Sequence, residues 1–269
     1  MIRMNSARRT GVVMTVVLFA AACSISRQQE IEMGADYARQ INAQLPLVQD
    51  PEVNRYINVL GDSLARMTGV ADLQWTFYIV DAREVNAFAV PGGYIYLNRG
   101  LIERTDRMDE VAGVLAHEIG HVVRRHSVKQ LERMQRAQIG VTVGCVLTGV
   151  CGGQGTGALI DVAGTAVFAR FSRQDETEAD HVGFDIVVQS GISPQGIATM
   201  FEKLLAERQR SPGALDGLFA THPLEEDRLA AMQARIAQIP ATQLQRLTRN
   251  TANFDAFKRR LQALPYTGR

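Results

Sequence analysis

Residues 111–123 read Val111-Ala112-Gly113-Val114-Leu115-Ala116-His117-Glu118-Ile119-Gly120-His121-Val122-Val123, and the reading of the whole chain starts there. On a helix, positions four apart share a face, so the His117 and His121 imidazoles reach toward one point, with Glu118 beside it. The rest of the run is apolar or small, as in a buried, tightly packed helix. Burying two imidazoles and a carboxylate without partners is costly. A metal ion held by both histidines, with Glu118 next to its water, removes that cost. Two histidines leave such a site incomplete, because a catalytic zinc takes three protein ligands and keeps one position open.

The missing ligand is sought among acids on a second helix. Phe171-Ser172-Arg173-Gln174-Asp175-Glu176-Thr177-Glu178-Ala179-Asp180 places Glu176 and Asp180 on one face, four apart, while Glu178 points roughly the other way. Either Glu176 or Asp180 satisfies the spacing, and the other would then steady a ligating histidine. His126, five residues after His121, falls off the metal face of a continuous helix, and His181 is similarly placed relative to Glu176. Both read as surface or packing residues. Arg173 and Arg228 read as anchors that hold their segments by hydrogen bonds.

Around these helices the pattern is that of one α+β domain. Apolar residues recur at helical spacing from Ile31 to about Met67, interrupted by Pro46 and Asp50-Pro51. Leu73 to Val80 alternates as a half-buried strand. Asn86–Val90 and Tyr94–Leu97 flank the turn Pro91-Gly92-Gly93 as a hairpin. That hairpin either presents an extended substrate along a strand edge, through Asn86, Ala87, Phe88, Gly92 and Gly93, or merely completes the sheet. The active-site helix is predicted from about Asp106 to Arg136, with Thr105 or Asp106 as its cap. Further helices are predicted from Gln174, over Pro194–Gln209 and over Pro223–Ile239, and residues 240–269 read as a helical tail. Residues 138–169 are apolar but broken by eight glycines and Asp161, which suits a loop between helical arms better than a membrane span.

The first 23 residues read as an address. Arg3, Arg8 and Arg9 precede an apolar stretch and the small run Ala20-Ala21-Ala22, which ends at Cys23. The run resembles a bacterial lipobox, with Ala20 where leucine is usual. This implies cleavage before a lipidated Cys23 and a short tether over residues 23–30. Overall the chain has 269 residues, with Lys+Arg 29 against Asp+Glu 28. Removing residues 1–22 takes away three arginines and no acid, leaving a net charge of −2 and no basic field for nucleic acid. Three cysteines are too few for a disulfide scaffold. In an oxidising compartment, Cys145 and Cys151 are expected to pair.

Four separated motifs together resemble the zinc metallopeptidases of the HtpX, Oma and CAAX-prenyl-protease superfamily, in particular its small periplasmic lipoprotein members in Gram-negative bacteria. They are Asn86-Ala87-Phe88-Ala89-Val90-Pro91-Gly92-Gly93, the His117–His121 pentad, Ser172-Arg173 through Glu176 to Asp180, and Thr221-His222-Pro223. The larger relatives with helical-repeat tails match less well. The resemblance implies a predominantly helical α+β zincin fold over residues 31–239, with a small antiparallel sheet and hairpin beside the active-site helix. It implies one zinc per chain on His117, His121 and Glu176, with Asp180 in support. Glu118 would activate water, and His222 would either donate to the oxyanion or plug the open position. The implied activity is endopeptidase action on misfolded or misassembled envelope proteins, at a periplasmic membrane surface, outer rather than inner. The rival reading is a zinc-stabilised chaperone or adaptor whose proteolysis is latent.

Overall fold

The computed structural model describes residues 24–136, 170–211, 213, 215–223 and 226–267. The address segment, Cys23, and the glycine-rich segment with Cys145 and Cys151 lie outside the described residues. No helix among the described residues is long and apolar enough to cross a membrane.

The described chain begins with α1, Arg27–Gln44, so the segment read as a tether is already folded from Ser26. The Ser26 hydroxyl accepts from Gln29 N–H while the Gln29 side chain accepts from Ser26 N–H, a reciprocal cap that sets the helix start. Helix α2, Pro51–Ala65, starts at Asp50, whose carboxylate accepts from the Glu52 and Val53 amides, with Pro51 at the first helical position. Strands β1 (Thr76–Val80), β2 (Ala87–Val90) and β3 (Tyr94–Asn98) follow.

The sheet is mixed rather than antiparallel throughout. Its order is β1-β3-β2, with β3 in the centre. β3 runs antiparallel to its hairpin partner β2 but parallel to β1. The third strand inserts between its two predecessors instead of adding to an edge, and it pairs with β1 in parallel. Period-two alternation buries both faces. Phe77, Ile79, Ala87, Ala89, Ile95 and Leu97 join the main core, whereas Val80, Phe88, Val90 and Tyr96 pack on the other face with Tyr37 and Ile41 of α1.

A short helix, α3 (Arg99–Arg104), leads into α4, Met108–Val123, which carries the His117 pentad through the core. α4 is shorter at both ends than its sequence suggested. Its first amides are capped from far along the chain, by the Asn250 side chain on Met108 N–H and the Arg249 carbonyl on Asp109 N–H. It stops at Arg124, and Arg125 adopts a left-handed backbone with φ 56° before helix α5 resumes over residues 126–136. Helices α6 (Arg173–Gln189) and α7 (Gln195–Arg210) pack on α4. Glycines permit these close approaches. A Cβ on Gly120 would stand 2.8 Å from the Ala179 carbonyl of α6, and one on Gly196 of α7 would stand 2.2 Å from the Asp109 carbonyl.

Helices α8 (Asp216–Thr221), α9 (Glu226–Ile236), α10 (Ala241–Leu244) and α11 (Ala252–Ala263) complete the described fold. Residues 240–269 therefore do not form one trailing helix. Phe254, Phe257 and Leu261 of α11 belong to the core. Arg99, 2% exposed, pairs with Asp81 and Glu103 and donates to the Leu264 carbonyl, which ties the terminal segment down.

Candidate metal centre

Two helices and the end of a third converge at one point. α4 supplies His117, Glu118 and His121. α6, begun by a Ser172–Asp175 capping box, supplies Glu176 and Asp180. His222 stands at the C-terminal cap of α8. One donor atom each from His117, His121, Glu176 and His222 lies within 4.8 Å of the others. The Nε2 atoms of His117 and His121 face each other at 3.1 Å. Glu176 reaches His117 Nε2 at 3.5 Å, His121 Nε2 at 3.4 Å and His222 Nδ1 at 3.1 Å.

Asp180 is placed behind this group, not in it. Its Oδ1 is 2.9 Å from His117 Nδ1, the nitrogen turned away from Glu176. Arg228 of α9 grips the same carboxylate through Nε and Nη2, both at 2.7 Å, and sets Nη1 2.6 Å from Glu176 Oε2. Arg228 is thus the buried anchor. Arg173, the other arginine read as an anchor, is solvent-exposed. Glu118 is 2% exposed, and its Oε2 has no hydrogen-bond partner.

Burial and mutual charge shift the ionisable groups of the site strongly. Burial lowers the His117 pKa, but Asp180 and Glu176 outweigh it and push the imidazole up to about 10. Burial, together with His117 and His222, drives His121 well below the ordinary histidine value. Glu176 is held well below the carboxylate range: His222 and its histidine hydrogen bonds overcome burial. Two imidazoles and a carboxylate, a further imidazole and the buried Glu118 Oε2 without a hydrogen bond make a donor set that fits a divalent metal ion.

Two sequence readings change here. The Arg124-Arg125 break turns His126 back toward the site, so its Nδ1 lies 3.0 Å from His121 Nδ1, and the residue is fully buried. Glu178 does point away from the metal group, as its spacing suggested, yet its Oε2 lies 3.4 Å from His126 Nε2. The hairpin also divides. Ala87 lines the narrow apolar cavity beside His117 and Glu118, together with Val114, Ile197, Met200, Phe201 and Phe219. Asn86 adjoins it. Phe88 instead stacks on Tyr96 on the opposite face of the sheet, because successive strand residues alternate. Gly92 and Gly93, at φ 84° and 98°, form a turn buried against α1 and Gln74. Phe171, which no motif flagged, packs on the rings of His121 and His222.

Residues 51–236 match the profile of peptidase family M48. The chain belongs to peptidase family M48. The motif resemblance to the Oma and HtpX peptidases is thereby borne out. Relatives within M48 include the beta-barrel assembly-enhancing protease of Escherichia coli (strain K12), 35% identical over 227 residues, covering 82% of this chain and 46% of the relative. The mitochondrial metalloendopeptidase OMA1 of Schizosaccharomyces pombe is 27% identical over 201 residues, covering 72% and 55%. The metalloprotease YcaL of Escherichia coli is 32% identical over 154 residues, covering 57% and 59%. The chain spans about half the length of these curated M48 relatives.

Proposed function

We propose that this chain is a zinc-dependent endopeptidase that hydrolyses misfolded or misassembled cell-envelope proteins. The observation that carries the reading is the convergence of His117, His121 and Glu176 beside a buried Glu118 carboxylate oxygen with no hydrogen-bond partner. His117, His121 and Glu176 hold one zinc per chain. When bound, zinc supplies a Lewis acid that polarises the scissile carbonyl and makes water nucleophilic near neutral pH. Glu118 takes the proton from the attacking water and returns it to the leaving amine. Asp180 holds His117 by its Nδ1 and is itself fixed by Arg228. His222 donates a hydrogen bond to the oxyanion that develops on the carbonyl. The apolar cavity beside His117 takes a substrate side chain, and Ala87, at the start of edge strand β2, lies on its wall.

The envelope assignment rests on the address segment and on the relatives. A lipidated Cys23 would hold the domain at the periplasmic face of the outer membrane, and one relative is named for enhancing beta-barrel assembly. A second reading has its own support: His222 belongs to the four-donor group, so it can close the open coordination position and leave proteolysis latent.

Digestion of an unfolded protein by wild type, Glu118→Gln and His222→Ala tests both readings. The enzyme reading expects Glu118→Gln to be inactive while keeping its zinc. Lower activity in His222→Ala supports the donor role, and higher activity supports the plug. Full activity in Glu118→Gln overturns the hydrolytic mechanism.

A further inference from the structure

We propose that His126 is a positioning residue that orients His121 through its Nδ1, as Asp180 orients His117. The inference rests on the reading of His121 as a metal ligand. His121 presents Nε2 to Glu176 and His117, so its Nδ1 faces the other way, 3.0 Å from His126 Nδ1. An imidazole that ligates through Nε2 carries its proton on Nδ1, and that N–H donates to the lone pair of His126 Nδ1. The His126 proton must then sit on Nε2. That nitrogen faces two carboxylates, Glu178 Oε2 at 3.4 Å and Asp175 Oδ1 at 3.7 Å. Every nitrogen along the line Glu178–His126–His121 thus has a defined role. The reverse tautomer would set two N–H groups against each other at 3.0 Å.

The backbone is shaped to make this contact. On a continuous helix, a residue five positions on sits about 140° around the axis and cannot meet His121 side by side. Arg125 takes the left-handed backbone, which is unfavourable for a non-glycine residue. Tertiary contacts hold it there: its Nε donates to the buried Glu30 carboxylate at 2.7 Å and its Nη2 to the Ile25 carbonyl at 2.6 Å. The N-terminal strap therefore fixes the turn that aims His126. Phe171 packs against the His121 ring, with centroids 4.1 Å apart, and limits its rotation.

The test uses the full chain stripped of metal, with zinc affinity read by competition against a chromophoric chelator. His126→Leu, which fills the space but accepts nothing, should bind zinc roughly 10–100-fold more weakly. His126→Asn places an amide oxygen near the Nδ1 position and should recover most of that loss. In a His121→Ala background, His126→Leu should cause no further loss. Ring-nitrogen NMR of the zinc-loaded wild type should place the His126 proton on Nε2, a readout that needs no variant to fold. The proposal is overturned by wild-type affinity in a folded His126→Leu protein, by equal losses in the Leu and Asn variants, by a full additional loss without His121, or by a proton on His126 Nδ1. If His121→Ala alone leaves zinc affinity unchanged, the ligand reading fails first, and the two failures are told apart.

Discussion

Replacing Gly120 with alanine should damage metal binding far more than it damages the fold. Gly120 stands one residue before His121, where α4 crosses α6. The added Cβ would lie 2.8 Å from the Ala179 carbonyl oxygen and 3.1 Å from its Cα, where ordinary contact begins at 3.4 Å. Both neighbours are backbone atoms and cannot swing aside, so α6 must retreat by about 0.6 Å. Ala179 sits between Glu176 and Asp180, so both carboxylates move with it. Metal–ligand distances tolerate only about 0.2 Å. The stability ledger is small by comparison. Alanine gains up to about 1 kcal/mol in helix propensity, and overpacking costs about 1–3 kcal/mol. The expected result is a folded protein whose melting temperature moves by a few degrees while zinc affinity falls about tenfold or more. Gly217→Ala is the matched control, because the nearest atom to its Cβ is Asn86 Nδ2 at 3.9 Å. Chelator competition and thermal melting of metal-free protein measure both quantities. Wild-type zinc affinity in Gly120→Ala would refute the claim that the α4–α6 distance sets the ligand geometry.

Other consequences can be checked in the same preparations. Asp180→Asn keeps the shape but weakens the hold on His117 Nδ1, so zinc affinity should fall roughly 10–100-fold in chelator competition with the far-UV circular dichroism unchanged. The His117 pKa is raised to about 10, so the imidazole keeps its proton at neutral pH and a metal must displace it. Zinc affinity should rise as pH approaches 10, and calorimetry in buffers of different ionisation enthalpy should detect a released proton. The same shift stabilises the metal-free fold fully below the unfolded value near 6.5 and is lost as pH rises through 10, so the metal-free protein should melt earlier across that window. Arg99→Leu leaves the buried Asp81 carboxylate without its cation. It should cost about 3–5 kcal/mol in urea unfolding, followed by the fluorescence of Trp75, the single tryptophan.

Features that depend on short stretches of chain were legible in the sequence. The i, i+4 spacing of His117 with His121, and of Glu176 with Asp180, follows from helix geometry and needs no tertiary information. Alternation marked the first strand, the Pro91-Gly92-Gly93 turn marked the hairpin, and Asp50-Pro51 marked the break between the first two helices. What joins distant segments was not legible. Spacing left Glu176 and Asp180 equivalent, and only the packing of α6 on α4 turns Glu176 into the donor group and Asp180 onto the back of His117. Strand patterns carry no information about order, so the insertion of β3 between β1 and β2 was hidden. Alternation put Phe88 and Ala87 on opposite faces, but only packing decided which of them met α1 and which the cavity. His126 was misread because the helix breaks at Arg125, with no glycine or proline to announce it; the unfavourable φ is held by Glu30 and Ile25, about a hundred residues earlier in the chain. Local sequence determined which side chains could do chemistry here, since helix and strand periodicity act over a few residues. Tertiary structure decided which of them meet, because packing can hold a backbone conformation that local preference would reject.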